Sequence, residues 1–263
     1  MDSLNEVLEK ILQEHTGKQA GQQPKEQKQY ECQKCKDTGF VEKVDEKGYP
    51  ISIRCDCYKI RLAKKIMDQS GISTEFRKKT FDNFQTLQDK QLVNAKRKAM
   101  QYVEGFRQTE NTRYNSILFC GQVGAGKTHL GTAICGTLMK ERIAVMYMAY
   151  RNAVTKLKQT ITDEEGYSKE INLYTSARVL YIDDLLKGRL TEADVNILYE
   201  IVNYRYMNNM PMIVSTEKSP AELVDFDEAI GSRLIEMCRG NIIQLSGKGL
   251  NYRLYGNGGV SGG

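Results

Sequence analysis

The sequence predicts an α/β fold, a parallel sheet sandwiched by helices, with a small cysteine-bearing module ahead of it. Three observations lead there. From Thr80 onward short apolar runs alternate with helical stretches, the order that builds a parallel sheet. A glycine-rich loop, Gly121 to Thr128, joins one such run to one such helix. Four of the seven cysteines fall in two close pairs within the first quarter of the chain.

Each element follows in order. Leu4, Val7, Leu8, Ile11 and Leu12 recur at helical spacing and predict an amphipathic helix over 1–15, with Ser3 and Glu6 spaced as a capping box. Residues 16–29 are rich in Gln and Lys with almost nothing to bury, the composition of a flexible linker. Residues 30–79 form the cysteine module. Its hairpin is predicted at Phe40–Val44 and Ile51–Arg54, around Glu46-Lys47-Gly48-Tyr49-Pro50, and a helix follows from about Tyr58 to Met67. From Lys59 to Lys79 seven basic residues stand against two acids, so this stretch is strongly basic. Residues 80–255 form the α/β domain, with buried strands at Ser116–Cys120, Ala144–Ala149, Val179–Ile182, Met212–Ser215 and Ile242–Leu245. The tail, 256–263, is Gly at five of its eight positions and is expected to be disordered.

Composition narrows the function classes. The 263 residues are 40% hydrophobic and 27% charged, ordinary globular usage with one sizeable core. The net charge of +5 mildly favours polyanionic partners. No apolar run approaches the ~20 residues that cross a bilayer. Acids interrupt the apolar N-terminus, so it does not read as a signal peptide. Secreted, membrane-spanning and fibrous classes are excluded, and the expected location is the cytoplasm. In that reducing compartment the cysteines read as metal ligands or core thiols.

Gly121-Gln122-Val123-Gly124-Ala125-Gly126-Lys127-Thr128 satisfies the phosphate-binding pattern Gly-x-x-x-x-Gly-Lys-Ser/Thr in full. The strand Ile117-Leu118-Phe119-Cys120 leads in, and a helix from His129 to Met139 leads out. Glycines let consecutive N–H groups converge on phosphate, and the helix N-terminus adds its positive dipole end. Lys127 supplies charge to the β- and γ-phosphates of ATP, and Thr128 a hydroxyl to Mg²⁺. An apolar strand ending in acids, Val179 to Asp184, completes the site. Asp183 is placed to hold Mg²⁺, and Asp184 to polarise the attacking water. Thr216, at the end of Met212-Ile213-Val214-Ser215-Thr216, is the expected γ-phosphate or water sensor, with Ser215 close behind. Arg233, near a predicted helix start, is the expected arginine finger offered to a neighbour's nucleotide; Arg239 and Arg253 are rivals.

Cys32-x-x-Cys35 and Cys55-x-Cys57 flank the hairpin. Four thiolates in two close pairs suit tetrahedral Zn²⁺ in a closed structural site. A module this small has little core, so metal would supply much of its folding energy. Cys120 and Cys135 read as buried core thiols, as does Cys238.

Taken together, CQKCKDTGF, RCDCYK, the basic helix, TFDNF, LFCGQVGAGKTHL, VLYIDD and GSRL resemble the DnaC/DnaI-type helicase loaders, from Tyr30 to about Arg253. IstB-like transposition helpers share the ATPase part. The resemblance implies an AAA+ ATPase whose N-terminal module grips a DnaB-type replicative helicase and delivers it onto single-stranded DNA, with self-assembly on the helicase. It makes Lys127 and Thr128 the Walker A residues, within an expected nucleotide-binding set that runs from Gly121 to His129. Asp183 and Asp184 become Walker B, Thr216 sensor 1 and Arg233 the finger. The sequence departs in two places. Glu217 follows Thr216 where related loaders show Asn, and no full helical lid follows the last strand, where Arg253 stands in as second sensor. Arg151, Lys156 and Lys158 are candidate phosphate contacts, with Tyr147 and Tyr150 as candidate base-stacking residues; a solvated helix face explains the same charges. Competing functions are an IstB-like helper, which the four-Cys module disfavours, a P-loop small-molecule kinase, and a non-catalytic nucleotide-stabilised adaptor.

Overall fold

The computed structural model describes residues 30–69, 78–247 and 249–255. The predicted N-terminal helix, linker and glycine tail lie outside these residues.

The cysteine module opens with an antiparallel hairpin, β1 (Phe40–Val44) and β2 (Pro50–Arg54), and continues into α1 (Asp56–Gln69). Asp45 closes the turn by accepting from the backbone N–H groups of Lys47 and Tyr49. The hairpin lies close to where its sequence pattern puts it. The helix is longer at both ends than the predicted Tyr58–Met67.

In the α/β domain α2 (Lys90–Glu104) and α3 (Phe106–Thr109) precede β3 (Ile117–Gly121). The Asp89 carboxylate starts α2 by accepting from Gln91 and Leu92 N–H. Then follow α4 (Lys127–Lys140), β4 (Val145–Ala149), α5 (Tyr150–Gln159), α6 (Glu164–Thr175), β5 (Val179–Leu185), α7 (Glu192–Met207), β6 (Met212–Thr216), α8 (Pro220–Phe226), α9 (Glu228–Met237), β7 (Ile242–Leu245) and α10 (Tyr252–Tyr255). The five strands pair in parallel in the order β4-β5-β6-β3-β7.

Alternation along the strands divides the core in two. Leu118, Leu180, Ile182 and Val214 pack with α5, α6, α7 and α9, while Ile117, Phe119, Val179 and Tyr181 pack with α2, α3 and α4. The helix α1 runs beside β4, covering one edge of the sheet.

One strand departs usefully from expectation. β5 runs on to Leu185 rather than ending at Ile182, and its register against β6 shifts between Ile182 and Leu185. The shift bends the backbone just where the two acids lie: Asp184 sits at φ +55° and Leu186 at +59°, rare values for non-glycine residues.

Candidate functional site

The side-chain period of two carries Asp183 onto the same face as Tyr181, the face against which α4 begins. That helix comes unusually close: a Cβ on Gly131 would lie 2.5 Å from the Tyr181 ring and hydroxyl. The approach brings the Thr128 hydroxyl to 2.9 Å from Asp183 Oδ1, to which it donates. Tyr181 and Ser215 donate to the same oxygen at 2.8 and 2.5 Å, and Tyr147 donates to Oδ2 at 2.9 Å. Burial and the Asp183 charge push both tyrosine hydroxyls up, so they remain donors.

Above this cluster opens a cleft of about 620 Å³, lined by Val123 through His129, both acids Asp183 and Asp184, and Phe84, Lys187, Glu217, Tyr252 and Arg253. Gly121 and Gln122 lie beneath it; their carbonyls accept from Lys127 Nζ at 2.8 and 2.7 Å. Burial pulls the Lys127 ammonium down while the charges of Glu217 and Asp184 hold it up. Gly124, at φ +77°, is held against the chain's last described segment. A Cβ there would meet Asn251 Oδ1 at 2.1 Å, and Tyr252 N–H donates to Gly124 O at 3.0 Å. His129 turns outward from α4, its Nε2 within 2.8 Å of Thr80 O and 3.0 Å of Asn83 Oδ1, with Phe84 edge-on to its ring.

The remaining site residues are placed less uniformly. Thr216 is buried and does not line the cleft; its hydroxyl donates to Leu185 O at 2.8 Å. The side chain that reaches the cleft from that strand end is Glu217, joined through Lys187 to Asp184. Arg233 stands away from this cleft, stacked 5.5 Å from the Tyr199 ring centroid and 5.3 Å from that of Tyr206, its Nη1 donating to Ala229 O.

The stacking residues require a correction. Tyr147 and Tyr150 are only 5% and 2% exposed, because β4 is covered on both faces and Tyr150 lies on the inward face of α5. Neither presents a ring to a base. Lys156 and Lys158 pair with Glu170 at 2.7 Å and Asp194 at 2.6 Å, so the solvated, ion-paired face is the better description of α5.

In the N-terminal module the sulfurs of Cys32, Cys35, Cys55 and Cys57 are buried and lie within 4.8 Å of one another. Cys32 and Cys55 Sγ are 3.7 Å apart, Cys35 and Cys57 Sγ 3.3 Å. Four sulfurs about 2.3 Å from one zinc in a tetrahedron stand roughly 3.8 Å apart, so the cluster fits Zn²⁺. Burial raises the Cys35 thiol, but hydrogen bonds with Cys57, the Gly39 backbone, Cys32 and Cys55 together outweigh it and bring the group down to about 6, while burial and the neighbouring sulfurs push Cys57 up to about 12. Arg61 on α1 reaches into the cluster, its Nη2 3.4 Å from Cys57 Sγ and 3.7 Å from Cys35 Sγ, and also bonds Asp37. Cys120, Cys135 and Cys238 are buried apart from the cluster.

The sequence does not single out Arg61, Tyr181, Lys187, Glu217 or Asn251 as site residues, and it gives Tyr147 only as a base-stacking candidate. Only Lys187 and Glu217, charges just past strand ends that face the cleft, left a readable signal.

Comparisons with known proteins bear on the family and the fold. Residues 76–239 match the bacterial DnaA ATPase domain family. The phage-like element PBSX protein XkdC of Bacillus subtilis is 35% identical over 236 residues, covering 86% of this chain and 87% of that protein. The replicative helicase loader DnaC of Escherichia coli K12 is 26% identical over 178 residues, covering 67% of this chain and 69% of that one. The crystal structure of the DnaC helicase loader superposes with a TM-score of 0.57 at 20% identity, over 66% of this chain and all of that one, a likeness of fold. The chain therefore belongs to the bacterial DnaA ATPase-domain family, and is an AAA+ protein of the DnaC/DnaI type.

Proposed function

We propose that this protein is an ATP-dependent loader that delivers a DnaB-type hexameric replicative helicase onto single-stranded DNA during replication initiation. The observation that carries the reading is the union, in one chain, of a four-thiolate module with a cleft in which Thr128 donates to Asp183 under a complete phosphate loop. The sequence relation to a replicative helicase loader supplies the partner class.

In this reading the Lys127 ammonium leaves the Gly121 and Gln122 carbonyls for the β- and γ-phosphates, while loop N–H groups and the start of α4 cradle the same oxygens. Thr128 and Asp183 would hold Mg²⁺, which neutralises charge developing on those oxygens. Asp184 accepts from the attacking water, with Glu217 and Lys187 beside it. Thr216 acts behind the strand end, fixing the backbone that presents Glu217. Arg233 faces a neighbouring copy assembled on the helicase, whose nucleotide it completes, so turnover rises with assembly, helicase or DNA. The zinc module grips the helicase, and the ATPase domain engages single-stranded DNA.

The test is co-purification of the full chain with a DnaB-type helicase in the presence of ATP, of ADP and of neither. A complex that changes with nucleotide supports the reading. No complex in any of the three states overturns it.

A further inference from the structure

Asp183 is approached by hydroxyls from four separate elements: Tyr147 on β4, Tyr181 on β5 itself, Ser215 on β6 and Thr128 at the start of α4. They are not distributed evenly. Three of them converge on Oδ1, whereas Oδ2 accepts from Tyr147 alone among the described residues. Tyr147 is the register partner of Tyr181, and Ala149 that of Asp183, so Tyr147 reaches its carboxylate along the cross-strand diagonal that a long aromatic side chain can span. Its ring is fixed edge-on against Tyr181 at 5.3 Å, and the residue also lines the cleft.

Turning the carboxylate about its Cβ–Cγ bond moves both oxygens, so donors at either end oppose it. The Tyr147 bond is the one restraint at Oδ2 among the described residues, and it helps fix how Asp183 presents Oδ1, the oxygen shared with Thr128. We propose that Tyr147 is a positioning residue for Mg²⁺–nucleotide binding, orienting Asp183 from the neighbouring strand, and that Tyr181 plays a lesser part because Oδ1 keeps two other donors without it. The inference rests on the nucleotide reading of the cleft. It goes beyond that reading by assigning a role to a strand outside the phosphate loop and the acidic strand.

The experiment compares wild type, Tyr147→Phe and Tyr181→Phe, each keeping its ring and losing one oxygen. A fluorescent ATP analogue is titrated into each protein in EDTA, and Mg²⁺ is then titrated into the protein–nucleotide mixture. Tyr147→Phe is expected to leave affinity in EDTA unchanged while raising the Mg²⁺ needed for half-maximal response by roughly tenfold, the loss usual for an outer partner of a metal ligand. Tyr181→Phe is expected to shift it much less. An unchanged or lowered Mg²⁺ requirement in Tyr147→Phe overturns the proposal, as does an equal shift in both variants, which would mark a general loosening of the core. If Tyr147→Phe fails to fold, a Tyr181→Phe shift as large as tenfold likewise overturns it, and a small one with wild-type melting supports it. Wild type that binds nucleotide with no response to Mg²⁺ would instead refute the underlying assignment of Thr128 and Asp183, and this inference with it.

Discussion

The Lys187 ammonium lies 2.8 Å from Asp184 Oδ2 and 3.3 Å from Glu217 Oε1, tying together the two acids at the cleft wall. The hydrogen bond that it donates to Asp184 holds this lysine above its ordinary range, so it is charged at neutral pH. All three side chains are at least 40% exposed, so each pair contributes only about 0–1 kcal/mol, and the lysine exchanges partners cheaply. Without it, two unpaired acids face the incoming triphosphate. Lys187→Ala is expected to weaken ATP binding by roughly fivefold, about 1 kcal/mol at this exposure, and ADP binding by less. Calorimetric titration of both nucleotides checks this; equal losses for ATP and ADP would count against it.

The contact between α4 and β5 leaves no space for a methyl group at Gly131. Tyr181 cannot withdraw, since Asp183 and the Thr128 carbonyl hold its hydroxyl. Gly131→Ala is expected to cost about 1–3 kcal/mol, the usual range for overpacking. Denaturant unfolding measures it, and a loss below about 0.5 kcal/mol would show that the helix and strand separate freely.

His129 makes stability depend on pH. Burial lowers its pKa from the ordinary 6.5, and the Thr80 carbonyl beside Nε2 only partly offsets this. The unfolded chain therefore binds the proton first as pH falls below about 6.5, and stability drops between that value and the lower folded one. His129→Gln should flatten this part of the profile. Melting temperatures of the two proteins measured from about pH 7.5 down to pH 5 test it, and parallel profiles would remove His129 as the cause.

One zinc per chain is expected, held by the four clustered thiolates. Arg61 donates toward two of them and anchors Asp37, so it balances the negative charge of a tetrathiolate centre. Arg61→Ala should release zinc to a colorimetric chelator about tenfold faster, in keeping with the usual cost of removing an outer partner. Protein purified without chelator and found metal-free by elemental analysis would overturn the assignment.

Much of this architecture was legible in local sequence. Apolar runs marked all five strands, and the loop pattern placed Lys127 and Thr128 because glycine, lysine and hydroxyl spacing is dictated by phosphate itself. The paired cysteines were legible for the same reason. Tyr147 was misread because alternation alone does not tell a strand covered on both faces from one with an open face. Arg61 and Asn251 are not legible locally because contacts far away along the chain bring them to their sites: Arg61, four residues from Cys57, also bonds Asp37 and Cys35, 24 and 26 residues earlier, and Asn251 packs against Gly124. Glu217 took the place at the cleft expected for Thr216 because the strand end turns the threonine inward, where its hydroxyl meets the Leu185 carbonyl.

The central claim, that nucleotide in this cleft drives helicase delivery, is tested most directly by loading onto closed circular single-stranded DNA. Such a circle offers a hexameric ring no free end to thread. Helicase retained on the circle after gel filtration is measured with wild type, Lys127→Ala and Asp184→Asn, with and without ATP. Wild type with ATP is predicted to place helicase on the circle, Lys127→Ala to place none, and Asp184→Asn to bind ATP without repeated turnover. Loading that proceeds equally without nucleotide, or equally with Lys127→Ala, would contradict the account.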